Sequence, residues 1–91
     1  LHQAYAFAGS IERGEKVVDD WLRENPKDWA TRRFIADYSF GVRRFRVAQA
    51  HYEALVAAYP SEQRLLNNLA LTYDALNDSR AMRTAEQAYL L

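Results

Sequence analysis

Apolar residues recur every three or four positions along this chain, in runs separated by short polar breaks, and no stretch alternates with period two over a useful length. That pattern predicts helices. The first apolar run covers Leu1 to about Ala8 and meets a Gly9-Ser10 turn. Ser10 then caps a helix reaching about Glu24, with Val17, Val18, Trp21 and Leu22 inward. Asn25-Pro26 stops it, because proline disfavours helical geometry in the residue before it. Asp28 caps a third helix over Trp29–Phe40, and Gly41 breaks the pattern. A fourth covers Phe45–Ala58, with Val47, Ala48, Ala50, Tyr52, Leu55 and Val56 apolar. Pro60-Ser61 restarts the chain, Ser61 capping a fifth helix that reaches Leu76. Asn77-Asp78-Ser79 is a turn and cap, and a sixth helix takes the remainder. The fold class is all-α with short loops.

The helices repeat. Pro26 and Pro60 stand 34 residues apart, closing the phrases WLRENPKD and LVAAYPSE. Upstream of Pro60, Ala48, Tyr52 and Leu55 are spaced by four and three; Gly14, Val18 and Trp21 hold the same places before Pro26. Each triplet is one face of a helix over two turns. The small residue leads each triplet, where two helices approach closely. After Pro60, Leu66, Leu69, Ala70 and Tyr73 form another stripe. Arg32, Ile35, Ala36 and Ser39 are its counterparts one period earlier, and Leu1, His2 and Tyr5 echo it two periods earlier. A period of this length marks a two-helix solenoid repeat, and the chain holds about two and a half of them.

Leu69, Ala70, Tyr73 and the Asn77-Asp78 turn, with Gly9 at the matching turn of a first unit, resemble the tetratricopeptide repeat (TPR). Ala81, Ala85 and Ala88 restore the second-helix triplet once one turn residue is deleted. The sequence departs from that pattern at Gly14, Arg32 and Ser39. The resemblance covers nearly the whole chain. It implies antiparallel helix pairs stacked as a right-handed superhelix: a single domain over 1–91, with 1–26 a partial repeat, 27–60 a repeat, and 61–91 a repeat truncated at its C-terminal side. More narrowly, WLRENPKD, HYEALVAAYP and LNNLALTYDALNDSRAMRTAEQAY look like the TPR proteins of bacterial exosortase (PEP-CTERM) systems. Those accompany exopolysaccharide production, which implies a periplasmic, cell-envelope setting for the parent protein.

Composition narrows the chemistry. Twelve basic residues balance twelve acidic ones, so no large field steers the chain to nucleic acid or an anionic membrane. There is no cysteine, hence no disulfide framework and no thiolate metal site. No apolar run is long enough to span a bilayer. The sequence opens on Leu1 in mid-pattern and stops at Leu91 before a third closing proline, which reads as a piece of a longer protein. Solenoid units bury their faces on neighbours, so the terminal helices, above all Ala85, Ala88, Tyr89, Leu90 and Leu91, are expected to self-associate. His2 and His51 lack partners at metal-ligand spacing, and His51 is read as a boundary residue. No serine sits in a nucleophile-elbow context and the three glycines form no phosphate loop, so neither catalysis, a metal nor a cofactor is expected.

In the TPR family the first helix of each unit lines a concave groove. The resemblance therefore implies groove residues Arg33, Phe34, Asp37 and Phe40 in one unit and Arg64, Asn67, Asn68, Leu71 and Asp74 in the next. Arg33 and Asn68 are similar to part of a carboxylate clamp, whose guanidinium fork and amide suit a planar carboxylate. Asp37, standing where that clamp has Asn, would repel one. The expected function is a scaffold that binds a protein or peptide segment in the groove. Two rivals stand beside it: an architectural segment with no ligand of its own, and an anionic-polymer or nucleic-acid binder through Arg43, Arg44 and Arg46, with Arg32 and Arg33 near in sequence. Against the latter, Phe45 and the arginines flank a turn, and Asp19, Asp20 and Glu24 balance them. Tyr5, Phe7, Trp21, Trp29, Phe34, Phe40 and Tyr52 could stack on carbohydrate. Packing accounts for most of them, and Phe34 and Phe40 are the two assigned to the groove side.

Overall fold

The apolar periodicity is realised as five helices and, among the described residues, no strand: α1 (His2–Glu24), α2 (Trp29–Gly41), α3 (Phe45–Ala58), α4 (Gln63–Ala75) and α5 (Ala81–Tyr89). The coordinates are a computed structural model that describes the backbone of residues 2–90 and the side chains of 9–90. The sequence echo at Leu1, His2 and Tyr5, the aromatics Tyr5 and Phe7, and the last residue Leu91 lie outside the described side chains. The all-α class is as expected. Short turns join α2 to α3 and α4 to α5, and these two hairpins make the most extensive contacts. The α3–α4 contact stacks one hairpin on the other, and α1 lies against α2. The result is a slab of 45 × 31 × 16 Å, thin enough that each helix keeps one face toward solvent.

The core lies between the hairpins, built from Ala36, Ala48, Tyr52, Leu55, Leu65, Leu69 and Tyr73. Ala48 is fully buried, as its place at the head of a triplet predicts; burying each of the three leucines stabilises by about 2 kcal/mol. The α4 stripe is wider than Leu66, Leu69, Ala70 and Tyr73 alone, because Leu65 and Thr72 are buried too. A helix packed on both sides needs a broad arc of inward residues. The Thr72 hydroxyl donates to the Asn68 carbonyl at 2.8 Å, which satisfies it there. Outside the core, Trp29 packs edge-on against Tyr59 at 6.0 Å.

Helix ends follow local chemistry. Asp28 caps α2 as expected, its carboxylate accepting from the Thr31 amide at 3.1 Å and the Thr31 hydroxyl at 2.7 Å. The same carboxylate accepts from the Trp21 indole at 2.7 Å, tying the end of α1 to the start of α2. These bonds, Thr31 first, hold the Asp28 carboxyl below its ordinary range. After α2 and after α4 the chain turns through the left-handed region at Arg43 (φ 66°) and Asn77 (φ 55°), again 34 residues apart.

Four local expectations are corrected. No turn forms at Gly9-Ser10: α1 runs through both, with glycine's cost inside a helix only about 1 kcal/mol and no left-handed glycine among the described residues. The inward face of α1 is Ile11, Glu15, Val18 and Leu22; Val17 is 68% exposed and Trp21, bound to Asp28, is half exposed. Gly14 makes no close approach, since nothing lies within 4 Å of the space a Cβ would take. Ser61 does not cap α4. Glu62 holds that position without a side-chain capping bond, its carboxylate being drawn to Arg33 instead.

Candidate functional site

The helices α2 and α4 occupy equivalent places in the two hairpins, so residues one period apart can be compared directly. On α2 the row Ala30, Arg33, Asp37 and Phe40 matches Arg64, Asn67, Leu71 and Asp74 on α4. The two rows have different fates. Arg33, half-buried, pairs with Glu62 at the start of α4. Asp37 accepts a hydrogen bond from the Tyr52 hydroxyl of α3, and Asn68 interacts with that same hydroxyl. Burial, then Asp37, pushes the Tyr52 phenol well above its ordinary value, so it remains a proton donor. Phe40 is partly buried, edge-on to Phe45 at 5.4 Å and packed on the core, not on the groove side. The α2 row is thus largely spent on internal contacts, and Arg33 and Asn68 are not presented as a free carboxylate fork.

The α4 row is open. Arg64, Asn67, Leu71 and Asp74 are all exposed, spaced three, four and three so that they line one face. Arg64 and Asp74 form no ion pair among the described residues, and Leu71 is 48% exposed. Beside this row runs α5, whose Met82, Ala85 and Tyr89 are exposed as well. One cleft of about 490 Å³ is lined by Asn67, Leu71, Asp74, Met82 and Ala85, and a second by Arg64, Asn67, Ala85 and Tyr89. They share Asn67 and Ala85, making one trough along α4 and α5. A third cleft, between the N-terminal ends of α2 and α4, is lined by Trp29, Ala30, Arg33 and Glu62.

Phe34 stands apart from both rows. It is 67% exposed and stacks on Tyr38 at 6.3 Å with planes 16° apart. The two groove-side aromatics of the sequence reading are therefore not a pair: Phe34 faces solvent while Phe40 packs inward.

Within the arginine turn, Arg44 is committed to packing. Arg44 forks onto Glu15 of α1, with Nη2–Oε1 2.6 Å and Nε–Oε2 2.9 Å. That fork raises the already high Arg44 pKa. Arg43 lies over the Phe45 ring at 5.7 Å. Among the described residues Arg46 makes neither an ion pair nor a ring contact. The acids that balance the cluster also differ from expectation: Glu15 takes Arg44, whereas Asp20 pairs with Arg23 on its own helix and Asp19 approaches His51 at 3.7 Å. His51 itself is corrected from a boundary to a buried residue, its Nδ1 lying 3.3 Å from Arg32. A second network joins the hairpins: the Tyr73 hydroxyl donates to Glu53 at 2.6 Å, and Arg80 reaches both Glu53 and Asp78 while covering the Tyr73 ring at 4.4 Å. Burial and Glu53 push the Tyr73 phenol up to about 12, and the Arg80 fork holds Asp78 at about 2.

Sequence reasoning missed Glu15, Glu53 and Glu62, three carboxylates that fix helices to one another. None stands in the repeat stripes, so nothing in the pattern marks them. Among the described residues no group of acids and histidines is placed to hold a metal, and no helix is long and apolar enough to cross a membrane. No known family matches the chain, and no curated protein or solved structure matches it either.

Proposed function

We propose that this chain is a segment of a TPR-type right-handed superhelix that works as a protein–protein interaction scaffold, binding a peptide or protein segment along the exposed row of α4. One observation carries the reading: Arg64, Asn67, Leu71 and Asp74 form a continuous face that folding does not use, whereas their counterparts on α2 are largely engaged internally. An apolar centre at Leu71, an amide at Asn67 and opposite charges at the two ends supply area, orientation and register. Arg33, Asp37 and Asn68 are engaged within the fold, so the proposed contacts fall to the α4 row. The resemblance to exosortase-system proteins makes a secreted or envelope protein the natural partner class.

A second reading, an architectural segment, is favoured by the open trough between α4 and α5, which is shaped to take another helix. Selection of a displayed random-peptide library separates the two. Peptides enriched on the native chain and lost on Leu71→Glu support the scaffold. No enrichment over an unrelated helical protein supports the architectural segment.

A further inference from the structure

The exposed row of α4 begins with a cation and ends with an anion. Arg64 and Asp74 are ten residues apart, about 15 Å along the axis, with Asn67 and Leu71 between them. Such a face is complementary to itself when a second copy is turned antiparallel. Arg64 of each copy then meets Asp74 of the other, and the two Leu71 side chains lie near the dyad. The adjoining surface of α5 adds Met82, Tyr89 and Leu90, all more than two-thirds exposed.

We infer that this face pairs with a second copy of the chain in a two-fold symmetric dimer through α4 and α5. The inference rests on the reading of the α4 face as an interaction surface and names its partner. An isologous contact closes on itself and leaves no complementary patch free, so the product is a dimer and not a filament. Among the described residues α1 exposes Val17 and Trp21 beside charges of both signs, with Asp20 paired to Arg23 on the helix itself. The size of the face sets the strength. α4 has 13 residues, so it is about 20 Å long, and two helices side by side are about 20 Å across. That is roughly 400 Å² per copy, half the ~800 Å² of a standard interface, so the contact belongs with weak, transient ones.

Sedimentation equilibrium over a concentration series tests it, with circular dichroism to confirm that each variant is folded. The native chain is expected to pass from monomer to dimer as concentration rises. Arg64→Asp and Asp74→Arg should each weaken association at least ten-fold, since each creates two like-charge contacts per dimer. Mixing the two variants restores both attractive pairs and should give a heterodimer of native affinity, and the double variant Arg64→Asp/Asp74→Arg should dimerise again. A native chain that stays monomeric overturns the inference. So does association unaffected by either single change, or weakened by them and rescued by neither the mixture nor the double variant. Peptide selection that fails on Leu71→Glu while the charge rescue is absent would retain the scaffold reading and discard only the dimer.

Discussion

Replacing Arg44 by alanine tests how α1 is held to the rest of the fold. The Arg44–Glu15 fork is uneven in exposure: the Glu15 side chain is 10% accessible and that of Arg44 37%. The unevenness sets the cost. Removing Arg44 leaves the mostly buried Glu15 carboxylate of α1 without its cation. Breaking a fully buried pair costs about 3–5 kcal/mol, and the solvent access that Arg44 itself enjoys reduces this to about 2–3 kcal/mol. Glu15→Ala should cost less, about 1 kcal/mol, because the freed guanidinium can turn to water. A chain of 91 residues has a stability of roughly 5–13 kcal/mol, so the larger loss is a substantial share. Urea unfolding followed by circular dichroism measures it, and the combined fluorescence of Trp21 and Trp29 reports the α1–α2 junction, where the Trp21 indole binds Asp28. The double variant should recover part of the Arg44→Ala loss, a coupling of about 1 kcal/mol or more. Equal single effects that simply add would refute the claim that this ion pair docks α1.

Three further outcomes follow from buried or strained groups. The Ser39 hydroxyl is buried with no hydrogen-bond partner among the described residues, so Ser39→Ala should be neutral or stabilising by up to about 1 kcal/mol in thermal or urea unfolding. Arg43 adopts φ 66°, a region that favours glycine, so Arg43→Gly should relieve about 1 kcal/mol of strain and gain a few tenths net once the more flexible unfolded chain and the lost Phe45 contact are counted. His51 has its pKa lowered below 6.5, first by burial and then by Arg32 of α2, against the opposing pull of Asp19 and Glu15 of α1. The unfolded chain therefore takes up that proton first, and stability should fall as pH drops below about 6.5, a slope that His51→Gln removes at the same protein concentration.

The helices themselves were legible because their apolar spacing and breakers agree: Asn25-Pro26 ends α1, Asp28 caps α2, and Pro60 separates α3 from α4. The 34-residue period was legible too, and it returns in the backbone as the left-handed turns at Arg43 and Asn77. Gly9 stands one period before Arg43, yet α1 passes through it helically, since a period states where a turn can form and not whether packing requires one. The face of α1 was misjudged for a different reason. Hydrophobicity pointed to Val17 and Trp21, but Trp21 is recruited by Asp28 and the inward place goes to Glu15, whose partner is distant in sequence. The groove was half legible. Spacing put Arg33 and Asn67 in equivalent places, while only the three-dimensional neighbourhood decides that Glu62 draws in the one and no described residue draws in the other.

The proposed interaction surface on the α4 row is one that folding does not need. Fluorescence anisotropy with a labelled library-selected peptide tests this, run on the native chain, Leu71→Glu and the control Phe34→Glu, each also unfolded in urea. Both residues are exposed large hydrophobics, Leu71 in the α4 row and Phe34 on α2, where it stacks on Tyr38. Leu71→Glu should keep the native stability to within about 0.5 kcal/mol while binding falls at least ten-fold, and Phe34→Glu should bind as the native chain does. Binding kept by Leu71→Glu and lost by Phe34→Glu would contradict the proposal and move the surface to the Phe34–Tyr38 stack.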